Sequence, residues 1–220
     1  MEVSLIHIYL LAGLILHKAV WEILKRRGAG AAPAPAPASK ARVLSLIKIA
    51  ILAGIVAQTL APEIAPISSQ PQTLRAVGIA IYTLGLMMAV VARCQLGRNW
   101  SDIEKSRVKR DHMLVAHGIY RWVRHPIYAG DLLLLLGLEL ALNSWTALGV
   151  SPLALYVRQK AASEERDLAR MLAGYDDYCR RTPAFCRSCR ANPFQPIPPK
   201  AANYWPLQNC SNVLGLVTPR

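Results

Sequence analysis

Aromatic residues make up only 7% of this 220-residue chain, and 13 acidic residues face 26 Lys and Arg, leaving a net charge of +13. Such a charge raises nucleic acid as a partner. The scarcity of aromatics, and the placement of Lys and Arg beside apolar runs, instead fit anionic lipid headgroups and the positive-inside rule, so no nucleic acid is expected. No GxGxxG is present, which removes the dinucleotide fingerprint. The first apolar run has no small-residue cleavage site, which argues against a removable signal peptide. Cysteines number five. Cys186 and Cys189 form one CxxC with Cys179 and Cys210 nearby, but four clear zinc ligands are missing, so no metal is expected and reduced thiols are the default. Cys94 reads as a small buried hydrophobe.

What the chain has in quantity is apolar sequence, at 53%, more than a soluble domain of this length usually carries. The expectation is an all-α, polytopic integral membrane protein. Val3 to Leu24 is a first span, stopped by Lys25, Arg26 and Arg27. Residues 28–42 alternate Ala and Pro and read as an extended linker. Val43 to Leu60 is a second span, with Lys48 near its basic end, and Leu74 to Leu96 a third, whose Gly78 and Gly85 favour close helix contacts without predicting a partner. Ile127 to Val157 is too long for one ordinary span, and Asn143, Ser144 and Pro152 interrupt it. A helical hairpin turning near Asn143 brings the total to about five membrane helices; one long tilted helix with a broken end is the alternative. Residues 1–183 form the membrane domain, and 184–220, dense in Pro, a carboxyl-terminal tail.

Basic residues cluster in the first connection (Lys25, Arg26, Arg27, Lys40, Arg42) and the third (Arg98, Lys105, Arg107, Lys109, Arg110, Arg121, Arg124), whereas the second has only Arg75. The amino terminus is therefore expected outside, with the carboxyl terminus in the cytoplasm.

Two polar blocks fall on that cytoplasmic side. In HGIYRWVRHPIYAG, from His117 to Gly130, Pro126 suits the first turn of a helix. The free amides at that helix start, with Arg121 and Arg124 beside them, make an anion site or, more blandly, a basic headgroup anchor. Gly130 allows backbone to approach a ligand, and Tyr128 offers a ring with a polar tip. In EERDLARMLAGYDDYCRRTP, from Glu164 to Pro183, Glu164 and Glu165 are expected to open the next helix, where acids also simply complement the dipole. Tyr175, Tyr178 and Arg181 recur every three residues and share a face if helix continues past Gly174. His112 and His117 lie in the basic loop. Asp131 and Glu139 sit in the fourth apolar segment, where acids are expensive, so each should face the bundle interior.

The elements GxYxxxRHPxYxG, EExxL and YxxYxxRxP resemble the isoprenylcysteine carboxyl methyltransferase family and, more loosely, the phospholipid methyltransferases. The resemblance implies S-adenosyl-L-methionine as cofactor in a cytoplasmic-side pocket formed by His117, Gly118, Tyr120, His125, Pro126, Tyr128, Gly130, Glu164 and Glu165. Of the two acids, Glu165 is the first choice as partner of the cofactor's ammonium and Glu164 the second. It further implies that Arg124, Arg181 and Tyr178 serve catalysis, with Arg124 and Arg181 orienting the acceptor carboxylate. The acceptor would be a lipophilic substrate arriving from the bilayer, a prenylated cysteine or another lipid. Rival readings are phospholipid N-methylation, a nicotinamide-dependent membrane reductase, and a non-catalytic membrane scaffold.

Overall fold

The computed structural model describes residues 5–28, 46, 53–60, 66–97, 113–172 and 174–185. These form six α-helices and no strand: α1 Leu5–Gly28, α2 over 53–60, α3 Gln72–Leu96, α4 Pro126–Ala141, α5 Val150–Met171 and α6 Tyr175–Arg181. The Ala-Pro linker, most of the basic third connection including His112, and Cys186, Cys189 and Cys210 lie outside the described residues.

Two of the helices, at Leu5–Arg26 and Gln72–Leu96, are long and apolar enough to cross a membrane. α1 continues as helix past its apolar run because Lys25 and Arg26 are good helix formers, and Arg26 reaches back one turn to Glu22 at 2.9 Å. α4 holds 16 residues, and the apolar part of α5 stops at Arg158. Neither alone supplies the roughly 20 apolar residues of an ordinary span.

The long fourth apolar segment does turn at Asn143, which adopts φ 54°, a left-handed conformation that asparagine tolerates. Asn143 is fully buried because it closes the turn against the segment before α3. Its Oδ1 accepts from Ser68 N at 3.0 Å and its Nδ2 donates to Ser68 O at 2.8 Å. An isolated antiparallel bridge joins Pro66 and Ser144 alongside. Glu139, also buried, accepts from Gln58 Nε2 at 2.7 Å and from Thr146 Oγ1.

The bundle is organised by an α3–α4 seam. A Cβ added at Gly78 or Gly85 would lie closer than 3.0 Å to the α4 backbone at Ala141 or Leu134, and one at Gly130 or Gly137 would strike Ala89 or Tyr82 of α3. Glycines seven residues apart on two antiparallel helices thus alternate along one line, so the backbones touch where side chains usually intervene. This supplies the partner that Gly78 and Gly85 did not reveal on their own. Gly130 accordingly gives room to α3. Alongside the seam, Leu10, Tyr82, Leu134, Leu138, Ala141 and Leu142 form the main apolar core, with the Tyr82 hydroxyl donating to Leu10 O at 2.6 Å. Cys94 packs with Val20 and Leu24, as a small buried hydrophobe should.

One expectation about helix boundaries is corrected. Glu164 and Glu165 do not open a helix. They lie two thirds of the way along α5, which runs unbroken from Val150 to Met171. No Pro or Gly interrupts the chain between Leu153 and Met171, and the intervening Gln, Lys, Ala, Glu and Arg favour helix. The break comes at Gly174, with φ 80°, and α6 starts immediately after it.

Candidate active site

The seam places the amino-terminal end of α4 beside the polar end of α5. His117 is extended (φ −115°, ψ 172°), Gly118 is left-handed at φ 58°, and a 3-10 turn covers Gly118–Arg121. Any side chain at Gly118 would collide with Gln95 of α3, whose Oε1 accepts from Ile119 N at 2.9 Å. The turn is thereby pinned to the end of α3. Tyr120 is buried under it, and its hydroxyl reaches Ala92 O at 3.3 Å. Burial also pushes the His117 imidazole below its ordinary pKa and favours the neutral ring.

Arg124 joins all three motif elements. Its Nε and Nη2 donate to Glu165 Oε1 and Oε2 at 2.8 and 3.1 Å, a bidentate pair between the α4 and α5 ends. Its Nη1 donates to Cys179 O at 2.9 Å and Thr182 O at 2.5 Å, closing the carbonyl end of α6. Four of its five N–H donors are thus engaged within the protein. His125, capping α4, lies 2.8 Å through Nε2 from the same Glu165 Oε1 and stacks between Tyr128 and Phe185. The anion beside Arg124 is thus Glu165, while Arg121 is exposed.

Burial opposes ionisation of Glu165, but the hydrogen bonds from His125 and Arg124 outweigh it and hold the carboxyl below its usual range. A depressed carboxyl stabilises the fold in full above the ordinary Glu pKa of about 4.3, and that contribution disappears as pH falls through the lowered value. We expect the melting temperature of detergent-solubilised protein to drop more steeply below about pH 4 than that of Glu165→Gln. Parallel acid limbs in the two proteins would contradict it.

Glu164, one step round α5, accepts from the Tyr128 hydroxyl at 3.0 Å through Oε2. Among the described residues its other oxygen is not engaged. In α6, Tyr175 and Tyr178 are buried and meet edge to face, and the Tyr178 hydroxyl donates to Tyr120 O at 2.7 Å. Arg181, about one turn beyond Tyr178, is half-buried. Backbone bonds from Arg124 N to Pro183 O (2.9 Å) and His125 N to Ala184 O (3.1 Å) then bring the last described residues across the site.

Of the residues singled out by sequence, Arg124, His125, Tyr128, Glu164 and Glu165 converge directly, and Tyr120 and Tyr178 join them through the 3-10 turn. Asp131 does not face the interior fully: it pairs with His17 of α1 and stays partly exposed. Gln95, Thr182 and Phe185 had no motif to mark them, because their parts depend on distant segments: a backbone N–H for Gln95, the Arg124 side chain for Thr182 and the His125 ring for Phe185.

The all-helical, membrane-type fold is shared with a solved structure, that of a eukaryotic intramembrane Ras methyltransferase, ICMT. The likeness covers 84% of this chain and 66% of that one, at TM-score 0.55 and 18% identity. Residues 77–170 match the isoprenylcysteine carboxyl methyltransferase (ICMT) family, as the motifs suggested. Similar relatives include the protein-S-isoprenylcysteine O-methyltransferase of Schizosaccharomyces pombe, 32% identical over 46% of this chain and 44% of that protein. The cobalt-zinc-cadmium resistance protein CzcN of Cupriavidus metallidurans is 35% identical over 48% of each chain. The chain spans about half the length of the curated relatives it matches. The matched region contains the RHP and EE elements and ends before α6.

Proposed function

We propose that this protein is a multi-pass membrane methyltransferase that takes a methyl group from S-adenosyl-L-methionine and esterifies the carboxylate of an isoprenylcysteine or similar lipophilic acid. The observation that carries the reading is the Arg124–Glu165–His125 cluster, which ties the family-matched α4 and α5 to the YxxYxxRxP segment in α6. With about five membrane helices and the amino terminus outside, this cluster faces the cytoplasm, and the acceptor arrives laterally from the bilayer.

The residues present fit the cofactor. Its methionine part carries an ammonium that needs a carboxylate. Glu165 has both oxygens occupied by Arg124 and His125, whereas Glu164 has one to offer. Glu164 therefore takes precedence over Glu165, with Tyr128 holding its other oxygen. His117, Gly118 and Tyr120 form the adjoining wall. When bound, the cofactor supplies a methyl group on a sulfonium.

A carboxylate acceptor, of pKa roughly 4, is already ionised at neutral pH, so no general base is required. The chain's task is to align the oxygen with the methyl group, exclude water and hold the nucleophile. Arg181 holds the acceptor carboxylate. Arg124 and Tyr178, both engaged internally, position α6 and hence Arg181.

Glu164→Gln should weaken S-adenosylhomocysteine binding about tenfold or more, the worth of a charge-assisted hydrogen bond. Arg181→Lys should be nearly as slow in turnover as Arg181→Ala while leaving cofactor affinity much less affected, since an ammonium cannot replace a planar fork. Isothermal calorimetry and turnover at saturating cofactor read the two effects. The overall reading is tested with radiolabelled methyl donor: base-labile methyl ester on a prenylated cysteine acid supports it, and label confined to extracted phospholipid transfers the protein to amine methylation.

A further inference from the structure

Asp131 stands in the apolar stretch of α4, one and a half turns beyond Pro126, and no part of the site described above uses it. Its Oδ1 lies 2.9 Å from His17 Nε2 of α1, and the His17 ring is stacked on Trp21 with centroids 4.1 Å apart. An acid within an apolar helix is costly and calls for a functional reason. Pairing with His17 offsets part of that cost. Yet the Asp131 side chain remains 41% exposed against 23% for His17, and among the described residues only one of its oxygens is engaged. A carboxylate oxygen is thus left partly exposed where α1 meets α4.

Its position relative to the site gives that oxygen a use. Tyr128 and Asp131 stand three residues apart on one face of α4, about 4.5 Å along its axis. Tyr128 is met by Glu164 from α5, and Asp131 by His17 from α1. The strip of α4 between them is flanked by those two helices and continues the polar site toward the apolar end of the bundle. An acceptor arriving through lipid would pass its polar head along this strip.

We propose that Asp131, oriented by His17, is a specificity subsite that accepts a hydrogen bond from an N–H of the methyl acceptor next to the carboxylate being methylated. This rests on the carboxyl methyl transfer proposed above. In an acylated amino acid the amide nitrogen is attached to the carbon bearing the carboxylate, so one cation and one anion can recognise the two groups together. Arg181 supplies the first and Asp131 the second. A simple chain acid satisfies Arg181 but leaves Asp131 without its donor, and sites built around a buried hydrogen bond discriminate strongly against an analogue that lacks it.

The test uses the full chain in lipid nanodiscs and two acceptors: an N-acylated S-prenylcysteine, and its analogue with CH2 in place of the amide N–H. Wild type should favour the first in kcat/KM by about tenfold to a hundredfold. Asp131→Leu should bring the ratio close to one, and His17→Ala should lower it several-fold. Asp131→Asn keeps the shape and an accepting oxygen without the charge; it should give an intermediate ratio and guards against a Leu variant that does not fold. Equal use of both acceptors by wild type, or a full preference retained in Asp131→Asn and His17→Ala, overturns the subsite alone. Failure of wild type to methylate either acceptor overturns the underlying reading and the subsite with it.

Discussion

Arg124→Ala should abolish methyl transfer and lower thermal stability in the same protein. Its guanidinium is 13% exposed and its partner carboxylate 21%, so the substitution leaves a largely buried Glu165 charge paired only with His125. Breaking a buried pair from one side costs about 3 kcal/mol or more. The Cys179 and Thr182 carbonyls lose their donor at the same time. α6 then keeps only the Tyr178 hydroxyl and the backbone bonds beyond it as ties to the α4 end, and Arg181 is placed less firmly. Arg124→Lys should rescue little, because a single ammonium cannot span a carboxylate and two carbonyls pointing in different directions. Arg26→Ala, which removes a pair 77% exposed at the arginine, should stay within about 0.5 kcal/mol. An Arg124→Ala protein with wild-type melting temperature and turnover would contradict the assignment of Arg124 as the joint of the site.

The second large effect is expected far from any charge. Gly137→Leu should leave almost no folded protein in detergent extracts, because even its Cβ would collide with the backbone of Tyr82. Overpacking usually costs about 1–3 kcal/mol when side chains can yield. Here the obstacle is main chain, so Gly137→Ala should already reach the top of that range. Gly149→Ala is the control: nothing lies within 4 Å of a Cβ there and the backbone is right-handed, so the change should stay within about 0.5 kcal/mol. Size-exclusion profiles and melting temperatures of the three variants decide it. A monodisperse Gly137→Leu protein of normal stability would mean that the seam is not tight.

Several of these elements were legible because their signals are local. Pro126 marks a helix start by chemistry that needs no neighbour, and Asn143 marks a turn in an apolar stretch for the same reason. The α3 span and the buried character of Cys94 followed from apolar length and composition. The Arg124–Glu165 pair was not legible, since 41 residues and a hairpin separate the two and nothing in either motif states that they meet. Without that pair, Glu165 looked free of protein partners, when Arg124 and His125 both meet its oxygens. The misplaced helix start at Glu164 has a simpler cause: the apolar pattern stops at Val157, and the helix does not. Glycines spaced by seven on each of two helices become meaningful only once the helices are known to run antiparallel. The backbone ties from Pro183 and Ala184 depend on carbonyls, which sequence does not distinguish.

The glycine seam also bears on how deep in the bilayer catalysis can take place. Because the small residues recur every seventh position, the two helices cannot slide past one another by an ångström or two. The next arrangement that brings small residues opposite each other is displaced by a whole repeat, about 10 Å along the axis. Pro126, and every group gathered around it, is therefore held at a single height relative to α3. Under the proposed function a lipid-tethered acceptor would have to bring its reactive end to that height, and changes in bilayer thickness will be met by tilting the helix pair as a unit, leaving the spacing between its members unchanged.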